Sequence, residues 1–191
     1  MNTRIRASAI AIAILGAALL ALTGCGIGED TVPPASTSRS CSDPLSNTAF
    51  GTANTCDQTQ LITTALTVMF SWDPATDTNP HSASARALPL MTGELHTATE
   101  QGPQGPGSIN PGADWLAQRD AGWATTAQVS VAREDGHVIY LVHQILTASP
   151  GKKPTPGPAG RSGRTVNDFS VTALTTRVSS GGFRLSQIQV R

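Results

Sequence analysis

The chain has 191 residues, with 13 Lys+Arg against 13 Asp+Glu and a formal net charge of +0. Charged residues make up only 14%, so there is no basic excess to neutralise phosphates, and nucleic acid is excluded as a partner on electrostatic grounds. Ala, Thr, Ser, Gly and Pro are abundant, and the basic residues are mostly Arg, with lysine only at Lys152 and Lys153.

Arg4 and Arg6 precede an apolar run from Ala7 to Leu22, which ends in Leu22-Thr23-Gly24-Cys25. Charged region, apolar region and small-residue cleavage site, in that order, are the layout of a secretory signal. With a cysteine directly after the small residues, the segment resembles a bacterial lipobox. That resemblance implies cleavage before Cys25 and acylation of its thiol, then of its freed amine. It places the protein on the outer face of the cytoplasmic membrane, held there by a lipid. The alternative is an uncleaved transmembrane helix. The run is near the lower limit of roughly 17 residues for a span, and Gly26, Ile27, Gly28, Glu29 and Asp30 follow it in place of a basic stop-transfer cluster. Under both readings Arg4 and Arg6 stay cytoplasmic and the rest of the chain lies outside. Removing residues 1–24 takes away Arg4 and Arg6, leaving 11 Lys+Arg against 13 Asp+Glu, a net charge of −2.

Taking Cys25 as the lipid carrier leaves Cys41 and Cys56, an even pair outside the reducing cytosol, for which a disulfide is expected. It closes a loop of about 15 residues, worth roughly 3 kcal/mol by the chain-entropy argument. A metal site is disfavoured, because two cysteines are half of a usual zinc set and the first histidine is His81. Residues 26–54 are rich in Gly, Ser, Thr, Pro and Asn, lack apolar periodicity, and read as a tether. Fully extended, Gly26 to Ser40 reaches roughly 50 Å at about 3.3 Å per residue. The expected organisation is a signal segment 1–24, a lipidated cysteine with a flexible tether 25–55, and a folded domain 56–191.

Leu61, Ala65, Met69 and Trp72 recur every three or four residues, flanked by Ile62, Leu66 and Phe70. This stripe predicts an amphipathic helix packed on a core. Asp57 is its N-cap or first-turn acid, and Pro74 ends it. Asn79-Pro80 predicts a second helix start, running through Ala83 and Arg86 to Leu88, with Pro89 as the breaker. Thr92 caps a third short helix, through Glu94 and Leu95 to about Thr99. A Gly/Pro loop spans Gln101 to Gly112, and a brief helical turn is expected around Asp114–Arg119.

The second half changes character. Trp123, Thr125, Ala127, Val129 and Val131 alternate as in a strand, and Asp135-Gly136 is a hairpin turn signal. His137 to Thr147 is apolar on both faces and reads as a central strand. After a Pro/Gly loop from Ser149 to Gly163, Val166 to Val178 forms a third strand, and Phe183 to Val190 a fourth. In the fourth, Phe183 and Leu185 occupy odd positions but Ile188 and Val190 even ones, so a bulge near Ser186-Gln187 is expected to restore one buried face. Helices first and then an antiparallel meander predict an α+β fold: about three N-terminal helices packed on a curved, four-stranded antiparallel sheet.

The order of elements carries motifs: Trp72-Asp73-Pro74 after the long helix, Arg86-Ala87-Leu88-Pro89-Leu90, Thr92-Gly93-Glu94-Leu95, and Gly181-Gly182-Phe183-Arg184-Leu185 leading to Gln187-Ile188-Gln189-Val190. Residues 57–191 thereby resemble the nuclear-transport-factor-two-like cone fold. More narrowly, they are similar to secreted or membrane-tethered actinobacterial proteins of that fold. Some of those accompany conjugative elements and resemble periplasmic scaffold domains of type IV secretion, and others accompany lipid-import operons. The resemblance implies a lipid-anchored scaffold or accessory protein of a cell-envelope apparatus, with other envelope proteins as partners. It implies no catalytic residues. A small-ligand or lipid binder using an apolar cone interior is the alternative, and a small enzyme with an interior acid–base pair is a further one.

The search for chemistry yields little. His81, His96, His137 and His143 form no HExxH or similar metal spacing, and no GxSxG, P-loop or GxGxxG occurs. No cofactor, metal or catalytic residue is expected, and the chain reads as a non-enzyme. An acid–base pair would have to come from His143, Asp168, Asp114 and Tyr140. The bland reading is that Asp168 ends a loop and Asp114 caps a helical turn, with no second group beside either. Ser149-Pro150-Gly151-Lys152 matches SxxK only formally, since that motif needs a helix start and here lies in a Pro/Gly loop. Trp72, Trp115 and Trp123 read as core or rim packing.

Overall fold

A computed structural model describes residues 41, 44–102, 112–156 and 160–191. The expected signal segment, Cys25 and the tether up to residue 40 lie outside the described residues. Helix α1 (Gln58–Met69) begins where expected: the Asp57 carboxylate accepts the Gln60 N–H at 3.1 Å, filling one orphan donor of the first turn. Its buried residues are Leu61, Ile62, Ala65, Leu66, Val68 and Met69, but the helix ends at Met69, so Trp72, expected in the stripe, lies beyond it and Pro74 is not its terminator. Asn79 caps α2 (Pro80–Arg86) by accepting the Ser82 N–H at 3.1 Å, with proline at the first helical position. A single 3-10 turn, Leu88–Leu90, leads to α3 (Gly93–Gln101).

Helix α4 (Ala113–Ala121) runs longer than the brief turn expected around Asp114–Arg119. Gly122 terminates it at φ 73° and ψ 30°, a left-handed conformation in which a Cβ is penalised. The described residues thus contain four α-helices where about three were expected.

Strands β3 (Trp123–Glu134), β4 (His137–Ala148), β5 (Thr165–Arg177) and β6 (Phe183–Val190) form one antiparallel sheet in the order β3-β4-β5-β6. The α+β class and the four-stranded meander are as the sequence predicts. Asp135 and Gly136 both have positive φ, 48° and 80°, and close the β3–β4 hairpin in two residues with Glu134 opposite His137. On β6, Leu174 pairs with Gln187 but Thr175 pairs with Leu185, so Ser186 is the extra residue. That bulge turns both Leu185 and Ile188 toward the core cluster, as their slipped phase requires. A second irregularity on β5 leaves Val166 out of the β4 ladder, between Asn167 opposite Gln144 and Thr165 opposite Ile145.

The core lies between α1 and one face of the sheet. Leu61, Ala65 and Leu66 share a cluster with Ala127, Tyr140, Val142, Val171 and Leu185. Both sheet edges are partly covered. Trp72 and Thr125 exchange backbone hydrogen bonds of 2.9 and 2.8 Å beside β3. Thr92 donates to the Leu185 carbonyl at 2.9 Å beside β6.

Residues 44–54, read from composition as the end of the tether, instead form a hairpin of β1 (Pro44–Asn47) and β2 (Gly51–Asn54). Short, polar strands carry almost no periodic signal, and tertiary contacts supply what propensity lacks. Ala53 and Thr55 are fully buried, Leu45 and Phe50 pack on the core, and the Phe183 N–H donates to the Thr55 carbonyl at 2.7 Å. Cys41 and Cys56 are joined, with Cα atoms 5.7 Å apart across a separation of 15 residues. The bridge therefore ties down the start of this hairpin. Among the described residues no helix is long and apolar enough to cross a membrane.

Candidate functional site

The β4–β5 register sets His143 directly opposite Asp168. Asp168 does not end a loop; it sits within β5, and His143 Nδ1 contacts its Oδ1. The expectation that no second group lies beside Asp168 is corrected by this cross-strand pairing. The pair is open to water, with side chains 45% and 64% exposed. It also lies on the sheet face opposite α1, since Val142 and Gln144, its neighbours in β4, are the buried positions. The Thr165 hydroxyl stands 3.5 Å from Nε2, on the same open surface. An ion pair in high dielectric contributes about 0–1 kcal/mol and is screened by salt. The geometry makes it a cross-strand surface contact.

The other two candidates lie apart from this pair. Tyr140 is 3% exposed beneath the start of α1. Burial pushes its phenol above the ordinary value of 10.0, opposed by a hydrogen bond with the Thr59 side chain and aided by the Asp57 carboxylate. Asp114 stands in the first turn of α4. The formal SxxK pattern is also resolved. The buried Ser149 hydroxyl donates to Asp73 Oδ1 at 2.8 Å, while Lys152 is exposed.

Asp73 belongs to a network that explains the Asp-Pro step. Its N–H donates to Asp77 Oδ2 at 2.8 Å, and Asp77 Oδ1 forms an ion pair with Arg86 Nη1. Arg86 Nη2 donates to the Ser71 carbonyl at 2.9 Å, and Ser71 Oγ accepts the Ala127 N–H at 2.8 Å. The network joins the segment after α1 to α2, β3 and Ser149. Trp72-Asp73-Pro74 and Arg86, two of the motifs behind the family resemblance, are thus architectural.

Two of the hollows among the described residues are candidate sites. One, of about 610 Å³, lies between Trp72, α4 and the start of β5. Trp72 and Trp115 stack in it with ring centroids 6.2 Å apart and planes at 28°. Asp114, Gln118, Arg164 and Asn167 supply its polar lining. Gln118 is 8% exposed and spends its carbonyl on the Thr125 hydroxyl at 3.3 Å. Asn167 donates to Gln144 Oε1 at 3.1 Å, and Gln144 donates to the Phe70 carbonyl at 2.7 Å. Sequence reasoning missed these amides, although Gln144 sits between the buried Val142 and Leu146 at core parity, where a polar residue is a signal in itself.

The second hollow, of about 490 Å³, lies at the turn end of the sheet, bordered by Val138, Ile139 and Leu174. The β4–β5 ladder stops at Tyr140 opposite Val171, so the two strands part there. Among the described residues, Val138 and Leu174 at this hollow are 40% and 60% exposed, while the exposed Val131 and Val190 sit on the two edge strands at the level of Tyr140 and Val171, and the exposed Leu141 shares its strand face with His143. Among the described residues no group of three or more His, Cys, Asp or Glu side chains is placed to hold a metal. Compared with known proteins, the chain matches no family model, no curated protein and no solved structure.

Proposed function

We propose that this chain is a lipid-anchored, non-catalytic scaffold or accessory protein with a cone-like domain, on the outer face of the cytoplasmic membrane. It docks another envelope protein at the turn end of its sheet. The observation that carries this reading is the hollow where β4 and β5 part, bordered by Val138, Ile139 and Leu174, with Val138 and Leu174 exposed by 40% and 60%. Scattered surface apolar residues are ordinary, but exposed apolar side chains bordering a hollow mark an interaction surface. The parting strands also leave backbone groups without a ladder partner, which favours an extended segment of the other protein as the occupant.

The address rests on the lipobox resemblance at Cys25, and the kind of partner on the resemblance to scaffold domains of conjugative or type IV-like secretion. The filled α1 side of the sheet, with Leu61 and Leu66 fully buried against it, weighs against a ligand held in an apolar cone interior. The exposed position of His143 and Asp168 weighs against an acid–base pair sheltered from water.

A photo-crosslinking residue at Val138 or Leu174 of the full chain, in intact cells, is expected to capture an envelope protein. The double variant Val138→Asp, Leu174→Asp is expected to lose that protein from solubilised membranes while its thermal melt is retained. Crosslinks to lipid alone, or unchanged co-purification of the double variant, would count against the reading.

A further inference from the structure

The Trp72–Trp115 hollow has a chemistry that the docking surface does not use. Its volume of about 610 Å³ falls in the range of small-ligand sites, roughly 300–1,000 Å³. The one acid and one base in its lining, Asp114 and Arg164, balance in charge, so the lining offers no cradle for a phosphate or another strongly charged group. What it offers is the partly exposed Trp72, backed by the buried Trp115 stacked on it, and two side-chain amides.

The amides are held in place by the fold. Gln118, more than nine-tenths buried, gives its Oε1 to Thr125. Gln118 lines the hollow, and its NH₂ group has no hydrogen-bond partner among the described residues. Asn167 gives its NH₂ to Gln144, whose own NH₂ is anchored on the Phe70 carbonyl. That leaves the Asn167 carbonyl as an acceptor in the same lining. One oriented donor and one oriented acceptor complement a secondary amide, which has one of each. The electron-rich face of an indole attracts the positively polarised C–H groups of a flat, saturated ring. The Asp114 carboxylate adds an acceptor for hydroxyl groups.

From this combination we infer that the hollow binds an N-acetylated amino sugar within a glycan. The acetamido N–H donates to Asn167 and its carbonyl accepts from Gln118, while the ring lies against Trp72 and a hydroxyl group donates to Asp114. The inference stands apart from the docking reading, because it uses Trp72, α4 and the start of β5, away from the turn end of the sheet.

The test is a titration of the full-length chain, purified in a detergent without a sugar head group, with tri-N-acetylchitotriose, followed by tryptophan fluorescence. Trp123 is a constant background, since it is 3% exposed and its indole N–H is bonded to the Thr155 carbonyl at 3.2 Å. A saturable shift with a dissociation constant of roughly 0.1–1 mM is expected for an open site with a few hydrogen bonds. Asp114→Ala, at an exposed position of α4, is expected to weaken it at least fivefold with the thermal melt unchanged. Gln118→Leu, which keeps the volume and removes the donor, is expected to abolish it. Chitotriose made from glucosamine without acetyl groups is expected to give no shift. No shift with the acetylated trisaccharide, an equal shift with its deacetylated form, a shift with adenosine instead, or equal affinity in the Asp114→Ala protein would each overturn the inference.

Discussion

Asp77→Ala is expected to lower the unfolding free energy by about 3–5 kcal/mol, the cost of leaving one member of a buried ion pair without its counter-charge. The Asp77 side chain is 7% exposed and Arg86 34%, so the guanidinium left behind keeps part of its hydration and the lower end of that range is expected. Two losses combine: Arg86 loses its carboxylate, and the Asp73 N–H loses Asp77 Oδ2. At about 2–4 °C per kcal/mol for a domain of this size, the melting temperature should fall by roughly 10 °C. Urea unfolding followed by tryptophan fluorescence measures it. Asp77→Leu combined with Arg86→Leu removes both charges and is expected to regain part of the loss, because no unpaired charge then remains buried.

Leu66→Ala is expected to cost a similar amount, roughly 3–5 kcal/mol, by loss of burial plus the cavity left in a core that relaxes only partly. Leu66 is fully buried in α1, in the cluster shared with Tyr140, Val142, Val171 and Leu185. Leu116→Ala on α4 is the control. Its side chain is 36% exposed, and a change of less than about 0.5 kcal/mol is expected away from the core. Equal effects at the two positions would mean that α1 is not the element filling the core side of the sheet.

Much of the fold was legible because local chemistry and tertiary placement agree. The α1 stripe, the Asp57 and Asn79 caps, the Asp135-Gly136 turn and the Ser186 bulge follow from spacing, capping and phase alone. The Cys41–Cys56 bridge followed from the cysteine count once Cys25 was set aside as the lipid carrier. The β1–β2 hairpin was not legible, since Pro44–Asn47 and Gly51–Asn54 have tether-like composition and depend on Leu45, Phe50 and Ala53 docking on the core. Helix α4 was underestimated although Gly122, the residue that ends it, stood in plain view.

The candidate sites were less legible than the fold. His143 and Asp168 belong to different strands, and whether they face each other depends on the β4–β5 register. A composition-based reading of a loop from Ser149 to Gly163 does not fix that register. The amide lining of the Trp72–Trp115 hollow joins α4 to β5, two elements far apart in sequence, so no local motif records it. Residue-type periodicity finds cores; it does not find polar groups assembled by topology.

The proposed role requires that Cys25 carry a lipid that holds this domain at the membrane for docking. The most direct measurement is metabolic labelling of the full chain with an alkyne fatty acid, together with membrane fractionation. A labelled protein in the membrane fraction is expected, with loss of the label in Cys25→Ser. An unlabelled wild-type chain, or label retained after Cys25→Ser, would contradict it.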